Sequence, residues 1–371
     1  GCSNAGVGYA ALYCNTTGDG NTAVGEGAMY KNTTACYGVG IGNGALGCNT
    51  TGAYNTAVGR RAIYVNTTGY NNTAIGHTAL CGNTTGIANV AVGGCALFAN
   101  TTGPENVAVG ERALCSNTTG SCNHAFGQQA LQSTTTGADN VAIGKSSGYA
   151  NTTGTGNIAV GYNALNKTTT ATHNIAMGWR ALYCNTTAND NIGIGLCALY
   201  NNTTGDNNTA VGTCALEDNT TGCRNTAFGK RVMPVLTTGC YNTGLGYVAG
   251  CAITTGCSNV FVGHTAGYNN TTANNNTAVG TDSLCANTTG HSHTAVGQKA
   301  LHANTTGHSN TAVGIAALED NTTGCFNQAL GKRALYNNTT GCHNVAIGVD
   351  ALYGNTTGSW NTASGYYALG V

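Results

Sequence analysis

Two acidic doublets, Glu217-Asp218 and Glu319-Asp320, come nearest in type to the paired carboxylates that cut polysaccharide. Such a pair flanks one glycosidic bond with its carboxyls about 5–9.5 Å apart. Asp206 lies near Asp218 across a turn, a loose cluster that fits a solvated corner. His291 and His293 offer two imidazoles for a metal, but no third ligand accompanies them, so solvent exposure is expected. The 18 cysteines include no C-x-x-C pair, so the usual zinc and thioredoxin spacings are missing. Seventeen N-T-T triplets match the N-glycosylation pattern. With 57 glycines in the chain, a G-x-G match carries no phosphate-binding information.

What must position these groups is a strict repeat. Glycine recurs every 17 residues, at Gly8, Gly25, Gly42 and on to Gly365, 22 times in 371 residues. The unit is N-T-A-V-G-x-x-A-L-x-x-N-T-T-G-x-x. A period this short means one supersecondary unit stacked many times. We therefore expect an all-β chain, a parallel β-solenoid (β-roll or β-helix) of about 22 coils, continuous over residues 1–371 as one domain. The two doublets then occupy one repeat position six coils apart, roughly 29 Å at the spacing of stacked strands. No glycosidase pair forms, and a uniform rod offers no unique cleft, so no enzymatic activity and no cofactor are expected.

Composition narrows the partners. Only 7% of residues are charged, with 13 Lys+Arg against 13 Asp+Glu. No basic stripe exists for nucleic acid, and no apolar run is long enough for membrane insertion. The 41% hydrophobic content at fixed positions argues for a packed core rather than disorder.

Number the repeat from its first Asn, as at Asn21 or Asn55. Positions two and four are β-branched or large (Thr22, Val24; Thr56, Val58), which predicts a short strand. On that pattern they should face the core, with position three facing away. Position three is Ala in 17 copies and Gly in four, with Phe261 the exception. A small residue pointing outward implies another backbone close by, either a partner chain or a second layer of the same coil; with a partner chain, Ala23, Ala57, Ala74, Ala91 and Ala108 line a lateral interface. Leu at position nine is a second core contributor. Asn at position twelve should form an inward ladder, since glycans ~4.8 Å apart would collide. Phe261 and Gly267, both departures from the repeat, lie in one coil and compensate in volume. Position ten gathers Tyr13, Tyr30, Tyr64, Tyr149, Tyr183, Tyr200, Tyr268, Tyr336 and Tyr353, either an exposed recognition stripe or rings packed along their own corner.

Cysteines 17 apart on adjacent coils fall within disulfide range. This gives Cys197–Cys214, Cys325–Cys342, and Cys240 with either Cys223 or Cys257. Cys2–Cys14 and Cys36–Cys48 span turns between coils. The alternative is free thiols scattered on a surface; the pairings favour an oxidising, extracellular compartment.

The N-T-A-V-G segment resembles the head repeat of YadA-like trimeric autotransporter adhesins. The fuller N-T-A-V-G-x-x-A-L-x-x-N-T-T-G unit is similar to repeats in phage and giant-virus tail fibres. The resemblance implies a β-roll, a homotrimer and a place on a cell or virion surface. It leaves coil shape and handedness open, because adhesin head coils are shorter than 17 residues and poor in cysteine.

The expected function is a self-assembling, disulfide-stapled extracellular fibre or filament subunit. One alternative is an adhesin or viral fibre shaft that binds a surface glycan. A second is an ice-binding solenoid, for which the adjacent Thr67 and Thr68 are poorly placed because they face opposite sides of an extended chain. The first and last residues, Gly1 and Val371, fall mid-repeat at positions fifteen and eleven. Open edges there would favour head-to-tail filaments.

Overall fold

A computed structural model describes residues 1–370; Val371 lies outside the described residues. The chain divides into two compact units, Gly1–Thr187 and Ala188–Val371. Each is a parallel β-solenoid, and no helix occurs among the described residues. The first holds strands β1 (Ala5–Val7) to β11 (Ile175–Met177), the second β12 (Ile192–Ile194) to β22 (Thr362–Ser364).

Every strand is three residues long, and within each unit neighbouring strands pair in parallel with a register shift of 17 residues. Thus Thr56, Ala57 and Val58 lie beside Thr73, Ala74 and Ile75, and Thr277, Ala278 and Val279 beside Thr294, Ala295 and Val296. Like therefore stacks on like in each unit.

The direction of the strand side chains reverses the expectation. Ala23, Ala57, Ala74, Ala91 and Ala108 are fully buried inside their own coil. They are core residues and cannot be a lateral interface. Positions two and four, expected inside, face out: Ile75 is 44% exposed and Leu330 51%. The cause is the small bore of a 17-residue coil. Its interior is filled by Ala at positions three and eight, Leu at nine and Asn at one and twelve, which leaves no room for a second row of branched side chains.

Glycine at position five is held by the coil next to it as well as by its own angle. Gly76 has φ +140°, and a Cβ there would lie 2.6 Å from the carbonyl oxygen of Gly93 and 2.7 Å from its carbon. The coil turns its other corners with left-handed residues that carry side chains. In one coil these are Arg61 (φ 55°), Ile63 (φ 48°) and Asn71 (φ 58°), at positions seven, nine and seventeen. Each is fixed by the adjacent coils. The N–H of Ile63 donates to Ala79 O at 3.0 Å, that of Arg61 to Asn43 O at 3.0 Å and that of Asn71 to Ala53 O at 3.2 Å.

Phe261 is buried, and it fills space vacated by two glycines. A Cβ on Gly250 would lie 2.7 Å from Phe261 Cδ2, and one on Gly267 would overlap the same ring. The compensation read from the sequence thus involves the preceding coil as well.

Candidate functional surfaces

Two asparagine ladders run inside the coils. At position twelve, Asn49 Nδ2 donates to Gly52 O at 2.9 Å and to Asn32 Oδ1 at 3.1 Å. These amides are the N-T-T asparagines, and their burial removes them as glycan acceptors. At position one, Asn72 donates its backbone N–H to Asn55 Oδ1 at 3.0 Å and its amide to Gly86 O at 2.9 Å. The ladders satisfy turn groups that would otherwise be buried unpaired. The first threonine of each pair closes the turn further, as Thr33 Oγ1 donates to Thr50 O at 3.0 Å, while the second, such as Thr34, is exposed.

His293 corrects the expectation of a solvent-exposed pair. It is buried, in the place of a position-one Asn. Nε2 lies 2.7 Å from Gly307 O, and Nδ1 accepts the N–H of Asn310 at 3.3 Å. The ring copies both roles of the missing amide, which sets the tautomer with its proton on Nε2. Burial pushes its pKa down to about 4, so it is neutral. His291 is exposed and stacks on His308, centroids 5.1 Å apart. No group of three metal-ligating side chains occurs among the described residues.

The acidic residues are tied to neighbouring coils. Asp218 accepts from Asn201 Nδ2 at 2.9 Å, Asp206 from the Asn189 N–H at 2.7 Å, and Glu319 pairs with Lys299 at 3.5 Å. Each of these three is engaged with a residue of an adjacent coil. A shallow depression lined by Glu26, Tyr30, Asn43, Cys48, Arg61 and Tyr64 is open to solvent.

Of the position-ten tyrosines, Tyr13, Tyr30 and Tyr268 are exposed, while Tyr64, Tyr149, Tyr183, Tyr200, Tyr336 and Tyr353 are half-buried. Tyr13 stacks on Tyr30 with centroids 5.4 Å apart, and Tyr336 on Tyr353 at 5.2 Å. Arg61 lies over Tyr64 and Arg333 over Tyr353. The column is in large part packing along its own corner.

A second ring ladder escaped sequence reading because it drifts between positions sixteen and seventeen. His291, His308, Phe326, His343 and Trp360 meet in series, with centroids 5.1, 4.9, 4.9 and 4.1 Å apart.

Cys325, Cys342, Cys223, Cys240, Cys257, Cys2, Cys14, Cys36 and Cys48 are free thiols in the structure. Cys197 is buried, and Cys214, half-buried, has its pKa raised to about 11 by burial and by a hydrogen bond with Glu217. Cys36 and Cys48 turn to different neighbours: Cys36 accepts the N–H of Asp19 at 3.3 Å, and Cys48 lines the depression. Position sixteen has a role the sequence did not disclose. Where it is Cys or Ser, its side chain can accept the backbone N–H of position sixteen in the preceding coil, through sulfur (Cys325 N to Cys342 Sγ, 3.2 Å) or oxygen (Cys342 N to Ser359 Oγ, 2.9 Å). The recurrence of Cys, Asp, Asn and Ser at this one position was the available signal.

The outward faces of the strands form a stripe in each unit. Position two is mostly Thr, Val or Ile (Ala5, His124 and Gln328 excepted), and position four is Val, Ile, Leu, Met or Phe in all but Ser364. Thr at position two, expected in the core, lies on the outward side of the strand, the side an ice-binding face would use. Phe126 and Met177 on this face of the first unit, and Phe228 on that of the second, break the flatness that an ice lattice requires.

No family model matches the chain, and no match arises among curated proteins. No helix among the described residues is long and apolar enough to cross a membrane.

Proposed function

We propose that this chain is a non-catalytic structural subunit of an extracellular fibre on a cell or virion surface, and that it self-associates through the outward strand stripe. The observation that carries this reading is the stripe. Eleven strands at ~4.8 Å spacing, with a face ~10 Å wide, present roughly 500 Å² in each unit. The position-two column carries many threonines, so the apolar part is the position-four column, unbroken but for Ser364, a patch of the kind that marks an interaction site. A partner that covers the stripe along its length needs the same strand period, and a second copy of this chain has it. Identical stripes meeting about a symmetry axis give a dimer or trimer. Extracellular placement draws on the cysteine content and on the adhesin and tail-fibre resemblance. Absence of catalysis draws on the dispersal of the acidic and histidine side chains into separate ladders.

Particle mass tests the reading. The wild-type chain should have two or three times the mass of one chain by light scattering. Replacing Val58, Ile75 and Val92 with Lys should give a folded particle of one chain. A wild-type particle of one chain at micromolar concentration overturns the proposal.

A second reading, a shaft that binds a surface glycan, is favoured by one observation. The five rings from His291 to Trp360 concentrate aromatic surface in a few coils, and Trp360 is 77% exposed. Binding to a glycan array that disappears in Trp360→Ala would support it.

A further inference from the structure

We infer that Cys223 and Cys240 form a dithiol site that reduces a small-molecule disulfide and closes into an inter-coil disulfide, with Cys257 outside the pair. The sequence left Cys240 free to pair either way, since both neighbours stand one coil from it. Side-chain orientation separates them. At position sixteen the thiol ordinarily turns back to the threonine carbonyl two residues earlier. Cys36 does so at 3.5 Å, Cys240 at 3.7 Å, Cys257 at 3.6 Å, Cys325 at 3.3 Å and Cys342 at 3.4 Å. Cys223 instead brings its sulfur to 2.9 Å from Cys240 Sγ. Stacked positions ~4.8 Å apart suit disulfide geometry. All three thiols are partly accessible.

The hydrogen bonds also set the order of events. Cys240 Sγ accepts the N–H of Cys223 at 3.1 Å, while the Cys223 thiol is turned onto the Cys240 sulfur, a hydrogen bond that raises its pKa, so Cys240 is the sulfur that attacks first. The Cys240 thiolate attacks one sulfur of R–S–S–R, the S–S bond breaks, and RS⁻ leaves and takes a proton from water. The Cys223 thiol then gives its proton to solvent and attacks Cys240 Sγ, expelling the second RS⁻. Two cysteines are oxidised by two electrons, and one external disulfide is reduced to two thiols. The inference needs only one chain and stands apart from the fibre reading.

The full-length reduced protein is treated with oxidised glutathione at pH 8, quenched with acid and mapped by mass spectrometry without reduction. The first linkage to accumulate should be Cys223–Cys240, and Cys257→Ser should leave it unchanged. Cys223→Ser should stop at one glutathione on Cys240. Serine is already accommodated at this repeat position, where Ser359 Oγ accepts the Cys342 N–H. Accumulation of Cys240–Cys257 first, or separate glutathione adducts on Cys223 and Cys240 that never close, would overturn the inference.

Discussion

The imidazole of His293 holds the carbonyl of Gly307 at 2.7 Å from within the asparagine ladder. A neutral ring fits this site and a charged one does not. Burial lowers its pKa from 6.5 to about 4. The unfolded chain therefore takes up a proton near pH 6.5 that the folded chain refuses until about pH 4. Stability from this residue is complete above pH 6.5 and is lost as pH falls to about 4, by about 3 kcal/mol in all. His293→Asn, which restores the repeat, should flatten this limb of the stability curve. Urea unfolding at pH 7, 5.5 and 4.5 measures it; equal slopes for both proteins would refute the assignment.

Ala74 and Ile75 are neighbours with opposite fates. Ala74→Glu should place a carboxylate in a core with no partner and cost several kcal/mol. Ile75→Glu should leave the fold intact. Thermal melting followed by circular dichroism separates them. Similar melting temperatures for the two variants would return Ala74 to the surface.

Phe261→Ala should cost about 3–5 kcal/mol through the cavity it leaves. Gly267→Leu alone should also destabilise, because the new side chain meets the Phe261 ring. The double variant rebuilds the Ala and Leu of the ordinary repeat and should recover most of the loss. A double variant no better than the sum of the singles would show that the two sites are uncoupled.

Gly76→Ala should destabilise by about 3 kcal/mol, from a strained φ and from contact with the Gly93 carbonyl. Denaturant midpoints measure it. A midpoint within error of the wild type would mean that the adjacent coil yields there.

The solenoid, its period and its parallel register were legible because one glycine position never varies. The inward Asn ladder at position twelve was legible because glycans on every coil would otherwise collide. The facing of the strand was misread. Val24 and Ile41 look like core by residue type, and Ala23 looks like a close-contact surface. Residue type alone does not report bore, and a coil this narrow buries the alanine and expels the valine. His293 was legible in principle, since it stands in the column of the first Asn. The choice between Cys223 and Cys257 was not legible, because it depends on one side-chain rotation.

Arg61, Ile63 and Asn71 hold backbone angles that an isolated segment avoids, at roughly 1–2 kcal/mol for each such residue. Hydrogen bonds from the coils on either side hold these angles. A coil forming alone has nothing to impose them, whereas a coil forming against a finished one has them dictated. Folding in each unit is therefore an act of copying: conformation passes from a formed turn to the chain beside it, as an imprint passes from a die. The slow event is the making of the first die.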